Sequence, residues 1–379
     1  MEQEPKQKSG PGVLGAVTGA AVMALCLLLS LSLSGDSPKA AEAMGPAVLQ
    51  IPQQTATQVS TAELGHSVIP IGKAVGIKLF SDGVLVVGLS AVDTDDGACY
   101  PGRDCGLKEG DIITHINGDE VDTIEEVQSL VAGGNGEPLS IQAVRGQRQL
   151  QLTASAAENR QGDYQLGVWL RDSMAGIGTL TFYDPESGTF AALGHGINDV
   201  DTSMLMPLES GSIMPASVSN VKKGASGDPG ELHGQFDLTR DLGTLYANTS
   251  LGIFGRMPQE NLEIQQTPVP VATRDQVQTG PATILSNIRG DQVEEFDIQI
   301  TRVCPSDDSN RSLLIQVTDP ELLEATGGIV QGMSGSPILQ NGRIVGAVTH
   351  VLINDPTRGY GVLAEQMLRQ ASGSQSQAS

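Results

Sequence analysis

The chain has 379 residues, enough for two domains of ordinary size, and 39% of them are hydrophobic. Only 3% are aromatic and 46 are glycine, which favours short strands and many turns over a helical bundle. The formal net charge of −22 argues against nucleic acid or an anionic lipid surface as a partner, because phosphate repels it.

The first predicted element is an uncharged N-terminal segment. Residues 12–34 are apolar and long enough to cross a bilayer. Lys6 and Lys8 precede the segment, which predicts that residues 1–11 stay in the cytoplasm and that the rest of the chain lies outside it. A cleaved signal peptide is the alternative, since small residues follow at 40–43.

A linker and a small α+β region are predicted next. Residues 35–67 are rich in Pro, Gln, Thr and Ala, as linkers often are. Apolar residues at helical spacing predict a helix over residues 123–132. Three strands are predicted around it, at 74–79, 84–89 and 139–144.

The run GLKEGDIITHINGDEV, which starts at Gly106, resembles a PDZ domain, and the resemblance covers residues 68–156. It implies a domain that binds an extended peptide by adding it as a strand to an exposed sheet edge beside a helix. By this resemblance, the peptide-binding loop and edge strand are Gly72, Lys73, Ala74, Val75, Gly76 and Ile77.

Four cysteines are present, and two of them are candidates for a pair. Cys26 lies in the apolar segment, and Cys304 has no evident partner. Cys99 and Cys105 lie in a loop rich in Gly, Asp and Pro, where a disulfide is compatible with a location outside the cytoplasm. A metal site is the alternative, but no further ligand accompanies them at the required spacing, so we expect no metal there. We expect no organic cofactor either.

The pattern from residue 157 to residue 371 is mainly β. Short alternating runs with frequent glycine predict barrels or a sandwich. A hairpin is predicted from 176–183 and 188–193, with Asp184 and Pro185 at its turn. The remaining predicted elements are two short helices, 321–326 and 365–371, and a disordered low-complexity tail, 372–379.

The segment GMSGSP at residues 332–337 precedes a predicted strand and carries the strongest chemical signal. Glycines around a serine let the backbone turn tightly and leave its amides free, as serine peptidases require. A plain turn is the alternative. Ser334 and Ser336 compete as nucleophile, and Ser334 fits the Gly-x-Ser-Gly pattern of chymotrypsin-like enzymes. The amides of Gly332 and Ser334 would then form the oxyanion hole.

A serine nucleophile needs a base, and His195 lies in a Gly-His-Gly turn at the end of a predicted strand. The order of His before Ser agrees with chymotrypsin-type double barrels, in which an acid lies between them. Thr349 and His350, on the strand after the serine, are candidates for the wall of the substrate pocket. Spacing alone does not choose among the candidate acids, which include Asp199, Asp201, Asp228, Asp237, Asp241, Asp291, Asp297 and Asp319.

Two longer segments, 191–203 (AALGHGINDVDTS) and 327–362 (GGIVQGMSGSPILQNGRIVGAVTHVLINDPTRGYGV), resemble the SpoIVB family of serine peptidases. The resemblance implies a mainly β protein with an N-terminal transmembrane helix, a small α+β PDZ-like domain and a chymotrypsin-like double β-barrel peptidase domain. It also implies that Ser334 is the nucleophile, His195 the general base and Asp319 the acid.

The family resemblance further implies an exocytoplasmic serine endopeptidase that cleaves itself, with the PDZ domain holding another copy in trans. Its other substrate would be a membrane-bound regulator of an intramembrane metalloprotease that processes a late sporulation sigma-factor precursor. The enzyme would cross the cell membrane once, face the space between forespore and mother cell, and be released by self-cleavage. The alternative function is a non-enzymatic PDZ scaffold or signalling protein at the forespore membrane.

Overall fold

The computed structural model describes residues 65–262, 267–304 and 310–375. The predicted anchor at 12–34 and nearly all of the predicted linker lie outside these residues. No helix in the described ranges is both long and apolar enough to span a membrane. The described strands are β1 (Ser67–Pro70), β2 (Ala74–Leu89), β3 (Val92–Thr94), β4 (Gly97–Cys99), β5 (Ile112–Ile116), β6 (Asp119–Glu120), β7 (Pro138–Arg145), β8 (Arg148–Ser155), β9 (Ala157–Glu158), β10 (Tyr164–Gln165), β11 (Val168–Asp184), β12 (Thr189–Ala192), β13 (Ser210–Lys222), β14 (Glu231–Phe236), β15 (Gly243–Thr249), β16 (Gly252–Arg256), β17 (Val269–Pro270), β18 (Gly280–Arg289), β19 (Gln292–Val303), β20 (Leu313–Val317), β21 (Pro337–Gln340), β22 (Arg343–Leu352) and β23 (Asp355–Leu363). The described α-helices are α1 (Pro101–Asp104), α2 (Ile124–Gly133), α3 (Pro320–Thr326) and α4 (Ala364–Gln375).

Six strands pair in a closed ring that forms the first barrel. Their order is β11, β12, β16, β15, β13 and β2, and β2 pairs again with β11. The predicted hairpin on either side of Asp184 is confirmed as β11 and β12. Val75, Ile77, Leu180 and Phe190 are among the buried side chains of the barrel interior, as expected when alternate residues of each strand face inward.

The PDZ domain is inserted into this barrel rather than placed before it. Residues 74–80 of β2 belong to the barrel, whereas Val84 and Leu85 of the same strand pair with β5 in the PDZ sheet. β11 follows β2 along both halves. The predicted division into a PDZ-like domain at 68–156 and a peptidase domain at 157–371 therefore needs correction, because the first half of β2 is a barrel strand and β1 pairs with β11 next to the barrel.

Local signals inside the PDZ domain agree with the predicted elements. The predicted helix is confirmed as α2, whose first turn carries a capping box between Thr123 and Glu126. Asn117 and Gly118 both have positive φ (56° and 93°), as a two-residue hairpin turn requires. Strands β2, β5, β7 and β8 then lie side by side, with a core of their own beneath α2.

The second barrel is closed by β18, β19, β20, β23, β22 and β21 in that order. The C-terminal helix α4 packs Met367 against Phe182 and Phe254 of the first barrel and Ile344 of the second, and so joins the two. The helix runs to Gln375, so residues 372–375 are helical and not part of a disordered tail.

The two cysteines that are candidates for a pair do not form a disulfide in the structure. Cys99 and Cys105 are both free thiols on either side of α1. Each thiol donates to a nearby carbonyl, Cys99 to Val92 and Cys105 to Gly102. Burial raises the pKa of the Cys105 thiol and so keeps it protonated.

Candidate active site

The serine segment, residues 331–336 (the nucleophile loop), lies between α3 and β21 and packs on a strand of the first barrel. Thr179 of β11 donates from its amide to the Ser334 carbonyl (3.0 Å) and from its hydroxyl to the Gly332 carbonyl (2.8 Å). Gly335 has φ +99°, and a Cβ there would lie 2.1 Å from the Thr179 carbonyl oxygen and 2.6 Å from the Leu193 amide nitrogen. Only glycine permits this approach between the two barrels.

The structure separates the two competing serines. Ser334 is half-buried, and its hydroxyl donates to the Thr349 carbonyl (2.8 Å). Ser336 is fully buried and bonds to the hydroxyl of Ser286 (3.1 Å) inside the second barrel. A nucleophile must be reached by its substrate, so the geometry favours Ser334.

Two backbone amides of the nucleophile loop are free for a ligand. Among the hydrogen bonds of the described residues, none uses the amide of Gly332 or of Ser334 as donor, whereas Met333, Gly335 and Ser336 all donate within the fold. Gly332 has φ +97°, a conformation that favours glycine. The two unused amides are those that the sequence predicts for the oxyanion hole.

The histidine lies in a strained turn at the end of β12, residues 193–196 (the catalytic turn). Leu193 and Gly194 both have φ +69°, which is unusual for a bulky side chain and costs about 1–3 kcal/mol at Leu193. The Leu193 amide donates to the Thr179 carbonyl (3.2 Å). Thr179 therefore bonds to both the catalytic turn and the nucleophile loop. The catalytic turn and the nucleophile loop are therefore neighbours.

The ring of His195 is oriented by the backbone of the next residue, Gly196. Its Nδ1 lies 2.8 Å from the Gly196 carbonyl oxygen. A carbonyl only accepts hydrogen bonds, so Nδ1 carries the proton and Nε2 keeps its lone pair. Burial lowers the pKa of His195, outweighing the carbonyl contact that raises it. The imidazole is therefore neutral and ready to accept a proton at physiological pH.

A second histidine lies against the first. The ring centroids of His195 and His350 are 5.1 Å apart with a tilt of 38°. Burial, then the proximity of His195 and then Arg311, lower the pKa of His350 to about 4. Thr349 is almost fully buried, and its hydroxyl donates to the Asn310 carbonyl (2.8 Å). Of the two predicted pocket residues, only His350 thus presents a partly exposed side chain beside His195.

The structure does not bring the predicted acid Asp319 to His195. Asp319 is the N-cap of α3, where one carboxylate oxygen accepts from the Leu322 amide (2.9 Å) and the other from the Asp297 amide (3.3 Å). Among the described residues no hydrogen bond or ion pair joins it to the imidazole. The resemblance assigns an orienting role to Asp319, but in the structure Nδ1 of His195 lies against the Gly196 carbonyl, and the Asp319 carboxylate bonds to the amides of Leu322 and Asp297.

The predicted peptide-binding segment of the PDZ domain also needs correction. Residues 74–77 pair with β11 on one side, and residues 75–77 also pair with β13 on the other. Gly72 and Lys73 precede them in a turn whose backbone bonds to Leu180 of β11. A strand with both edges paired cannot accept a further strand, so residues 72–77 are not the peptide-binding edge.

A different edge beside α2 is open. The start of β11, residues 168–171, pairs with β2 on one side, and no described strand pairs with its other side. α2 runs antiparallel along this edge: the Ile124 amide at its start bonds to Asp172 (2.9 Å), and Gly136 beyond its end contacts Tyr164. At that second end, the amides of Leu166 and Gly167 donate to no described residue. The feature of the sequence that indicates this edge is the short run Leu166, Gly167, Val168 before a strand.

Comparison with known proteins places this geometry in context. A family model described as SpoIVB peptidase S55 matches residues 162–368, and a PDZ domain model matches residues 99–145. No curated protein sequence matches the chain significantly.

Three solved structures are similar in part. The PDZ domain of the SdrC-like protein from Listeria monocytogenes is 26% identical, with a TM-score of 0.20, and the match covers 24% of this chain and 87% of that one. The Rv3671c protease from M. tuberculosis in its active form is 14% identical, with a TM-score of 0.29 and coverage of 52% and 74%. The HtrA-type protease AlgW with a decapeptide is 11% identical, with a TM-score of 0.33 and coverage of 55% and 54%.

Proposed function

The chain belongs to the SpoIVB peptidase S55 family and is a serine endopeptidase with a PDZ domain; we propose that Ser334 is its nucleophile and His195 its general base. The observation that carries this proposal is the shared packing of the catalytic turn and the nucleophile loop on Thr179. It brings the two segments together while the amides of Gly332 and Ser334 stay unused.

The proposed reaction uses the hydroxyl of Ser334, Nε2 of His195 and the unused amides of the nucleophile loop. The Ser334 hydroxyl leaves the Thr349 carbonyl and gives its proton to Nε2 of His195 as its oxygen attacks the scissile carbonyl carbon. The amides of Gly332 and Ser334 hold the resulting oxyanion. His195 then protonates the leaving amine, and water hydrolyses the acyl-enzyme with the same histidine as base. The Gly196 carbonyl stabilises the imidazolium through Nδ1 in both steps.

A labelling experiment tests the nucleophile. The full-length protein, its Ser334→Ala variant and its Ser336→Ala variant are each treated with a fluorophosphonate, and the labelled peptide is identified by mass spectrometry. We expect label on Ser334 in the parent and in Ser336→Ala, and none in Ser334→Ala, whose peptidase activity should fall by a factor on the order of 10⁶. Equal activity of the parent and Ser334→Ala would favour the alternative of a non-enzymatic scaffold.

We also propose that the PDZ domain binds an extended peptide between α2 and the open edge at residues 168–171. An added strand would find main-chain partners on this edge, as in other strand-addition complexes. The amides of Leu166 and Gly167 are suited to a terminal carboxylate, since two adjacent unused N–H groups form an anion-binding concavity. Val127 and Val131 of α2 are buried in the PDZ core, which holds the helix beside this edge.

The remaining proposals rest on membership of the family. We propose that residues 12–34 anchor the enzyme in the cell membrane with its peptidase domain outside the cytoplasm, in the space between forespore and mother cell. Its substrates would be itself and a membrane-bound regulator of the intramembrane metalloprotease that processes a late sporulation sigma-factor precursor. Mixing the active enzyme with a tagged Ser334→Ala copy tests the first substrate, since cleavage of the tagged copy requires action in trans.

A further inference from the structure

Arg171 lies where β11 leaves the PDZ sheet and enters the first barrel. β11 pairs Arg171 with Leu85 in the PDZ half of β2, and Ser173 with Phe80 in the barrel half, with an irregular register between. At this irregularity Asp172 accepts the first backbone amide of α2. The backbone of Arg171 is therefore fixed from both the barrel and the PDZ domain.

The guanidinium of Arg171 holds two carboxylates of one loop. It donates through one nitrogen to Asp199 and through another to Asp201 (2.9 Å). The Asp199 side chain is fully buried, and its second oxygen accepts from the amide (2.7 Å) and hydroxyl (2.8 Å) of Thr202. Burial alone would raise the pKa of Asp199, but the bonds from Thr202 and the charge of Arg171 hold it below its usual range. Asp199 is thus a buried, ionised and fully bonded group.

This loop, residues 197–206 (the anchor loop), directly follows the catalytic turn that contains His195. Its two ends meet where the Met206 amide donates to the Ile197 carbonyl (3.0 Å). Asn248 of β15 holds the same ends, accepting from the Ile197 amide (2.8 Å) and donating to both carbonyls (2.9 Å each). Asn248 therefore fixes the base of the loop, and Arg171 fixes its tip through Asp199.

We propose that Arg171 is a positioning residue for His195: it fixes the anchor loop through Asp199 and thereby the Gly196 carbonyl that orients the imidazole. The inference rests on the proposed role of His195 as general base. A displacement of about 1 Å in a reacting group can cost about a hundredfold in rate. Loss of the Arg171 contacts should act on kcat and leave KM nearly unchanged, since a peptide strand added at residues 168–171 would pair with the backbone, which the substitution keeps, whereas the side chain bonds to Asp199 and Asp201.

The test compares four forms of the full-length protein with the parent. Arg171→Met removes the charge at similar length, and Arg171→Lys keeps the charge without the two-nitrogen geometry. Arg171→Met with Asp199→Asn removes the buried carboxylate that the single variant leaves unpaired. Arg369→Met is the matched control, because Arg369 also pairs with a buried carboxylate, that of Glu365, on α4. Peptide kinetics and the Nδ1–H signal of His195 in ¹⁵N-histidine NMR spectra are measured for each.

We expect Arg171→Met to lower kcat by about 10- to 100-fold with KM within about threefold of the parent, and to weaken or shift the Nδ1–H signal of His195. Arg171→Lys should recover part of kcat and part of the Nδ1–H signal. The double variant should remain impaired in both readouts, and Arg369→Met should keep the kcat and the signal of the parent. Parent-like kcat and an unchanged signal in the double variant would overturn the inference. If the parent itself lacked peptidase activity, the proposed function would fail, and the NMR signal would still test the positioning role.

Discussion

The orientation of the His195 ring depends on the backbone groups around it and not on its residue type alone. Its Nδ1–H donates a hydrogen bond to the carbonyl of the next residue, Gly196, so the ring is oriented without a carboxylate. The candidate acid Asp319 instead supplies the N-cap that α3 needs. Both assignments depend on which backbone groups lie nearby, and both can be tested by single substitutions.

Substitutions of Asp319 distinguish a helix cap from a catalytic acid. Asn caps helices about as well as Asp, whereas Ala costs about 1 kcal/mol. We therefore expect Asp319→Asn to keep nearly full kcat/KM and Asp319→Ala to lose about 1 kcal/mol of unfolding free energy. A triad acid behaves differently, since its change to Asn lowers kcat about 10⁴-fold. Such a loss in Asp319→Asn, measured with a peptide substrate, would restore the triad assignment.

His350 should make the fold sensitive to acid. Its pKa falls from an ordinary value of about 6.5 in the unfolded chain to about 4 in the fold, first because of burial. The neutral form is thus favoured by folding, so its contribution to stability is complete above pH 6.5 and is lost as the pH falls towards 4. We expect Tm to fall less between pH 7 and pH 4.5 in His350→Gln than in the parent. The exposed His233 provides the control, and an equal change in His233→Gln would contradict this account.

Glycine turns determine how the loops of the two barrels meet. The nucleophile loop can touch Thr179 and Leu193 only because Gly335 lacks a Cβ, and the catalytic turn contacts Thr349 through Gly194. The elements that carry the chemistry are therefore placed by close backbone approach and not by long side chains. This arrangement makes the site intolerant of a single methyl group at these positions.

A matched pair of glycines tests this contact. Gly335 and Gly342 both have positive φ, at +99° and +72°, but a Cβ at Gly342 would meet no atom within 4 Å. Gly342→Ala should cost about 1–3 kcal/mol of stability and leave kcat/KM within about threefold. Gly335→Ala forces a clash with Thr179 and should lower kcat/KM by more than about a hundredfold. Equal activity in the two variants, after correction for the folded fraction, would show that the contact is not required.

The insertion of the PDZ domain is a property of the whole molecule. β2 and β11 each pass through both the barrel and the PDZ sheet, so the two folds share two long strands. A small cluster of Leu79, Leu85 and Met206 lies where these strands meet the anchor loop. The PDZ domain cannot be removed at the boundaries that the sequence suggests without removing barrel strands as well.

Two deletions follow from this topology. Removal of residues 68–156 takes away the barrel half of β2 and should abolish cooperative unfolding. Replacement of residues 82–171 by Asn-Gly should instead join Ser81 to Asp172 as a tight hairpin, next to the existing pair of Phe80 and Ser173. We expect the second form to fold and to react with a fluorophosphonate at Ser334, although less rapidly because Arg171 is absent. Cooperative thermal unfolding of the first deletion would show that the domains are consecutive.

The sequence by itself determined the local elements and the chemistry they carry. The capping box of α2, the Asn-Gly turn and the alternation of the strands are set by neighbours a few residues away, and the structure contains them. The glycine-flanked Ser334 and His195 were likewise visible as residue types in an unusual context. These features need no knowledge of distant contacts, because the physical forces behind them act within one turn or one strand.

Only the tertiary structure decided how these elements are joined. Residues 74–77 look like a free edge in sequence, but pairing with β11 and β13 closes them into a barrel. The open edge beside α2 and the ion pair between Arg171 and Asp199 both depend on long-range contacts. Strand pairing partners are chosen by the collective burial of many side chains, and a pattern of period two is the same for an edge strand and a barrel strand.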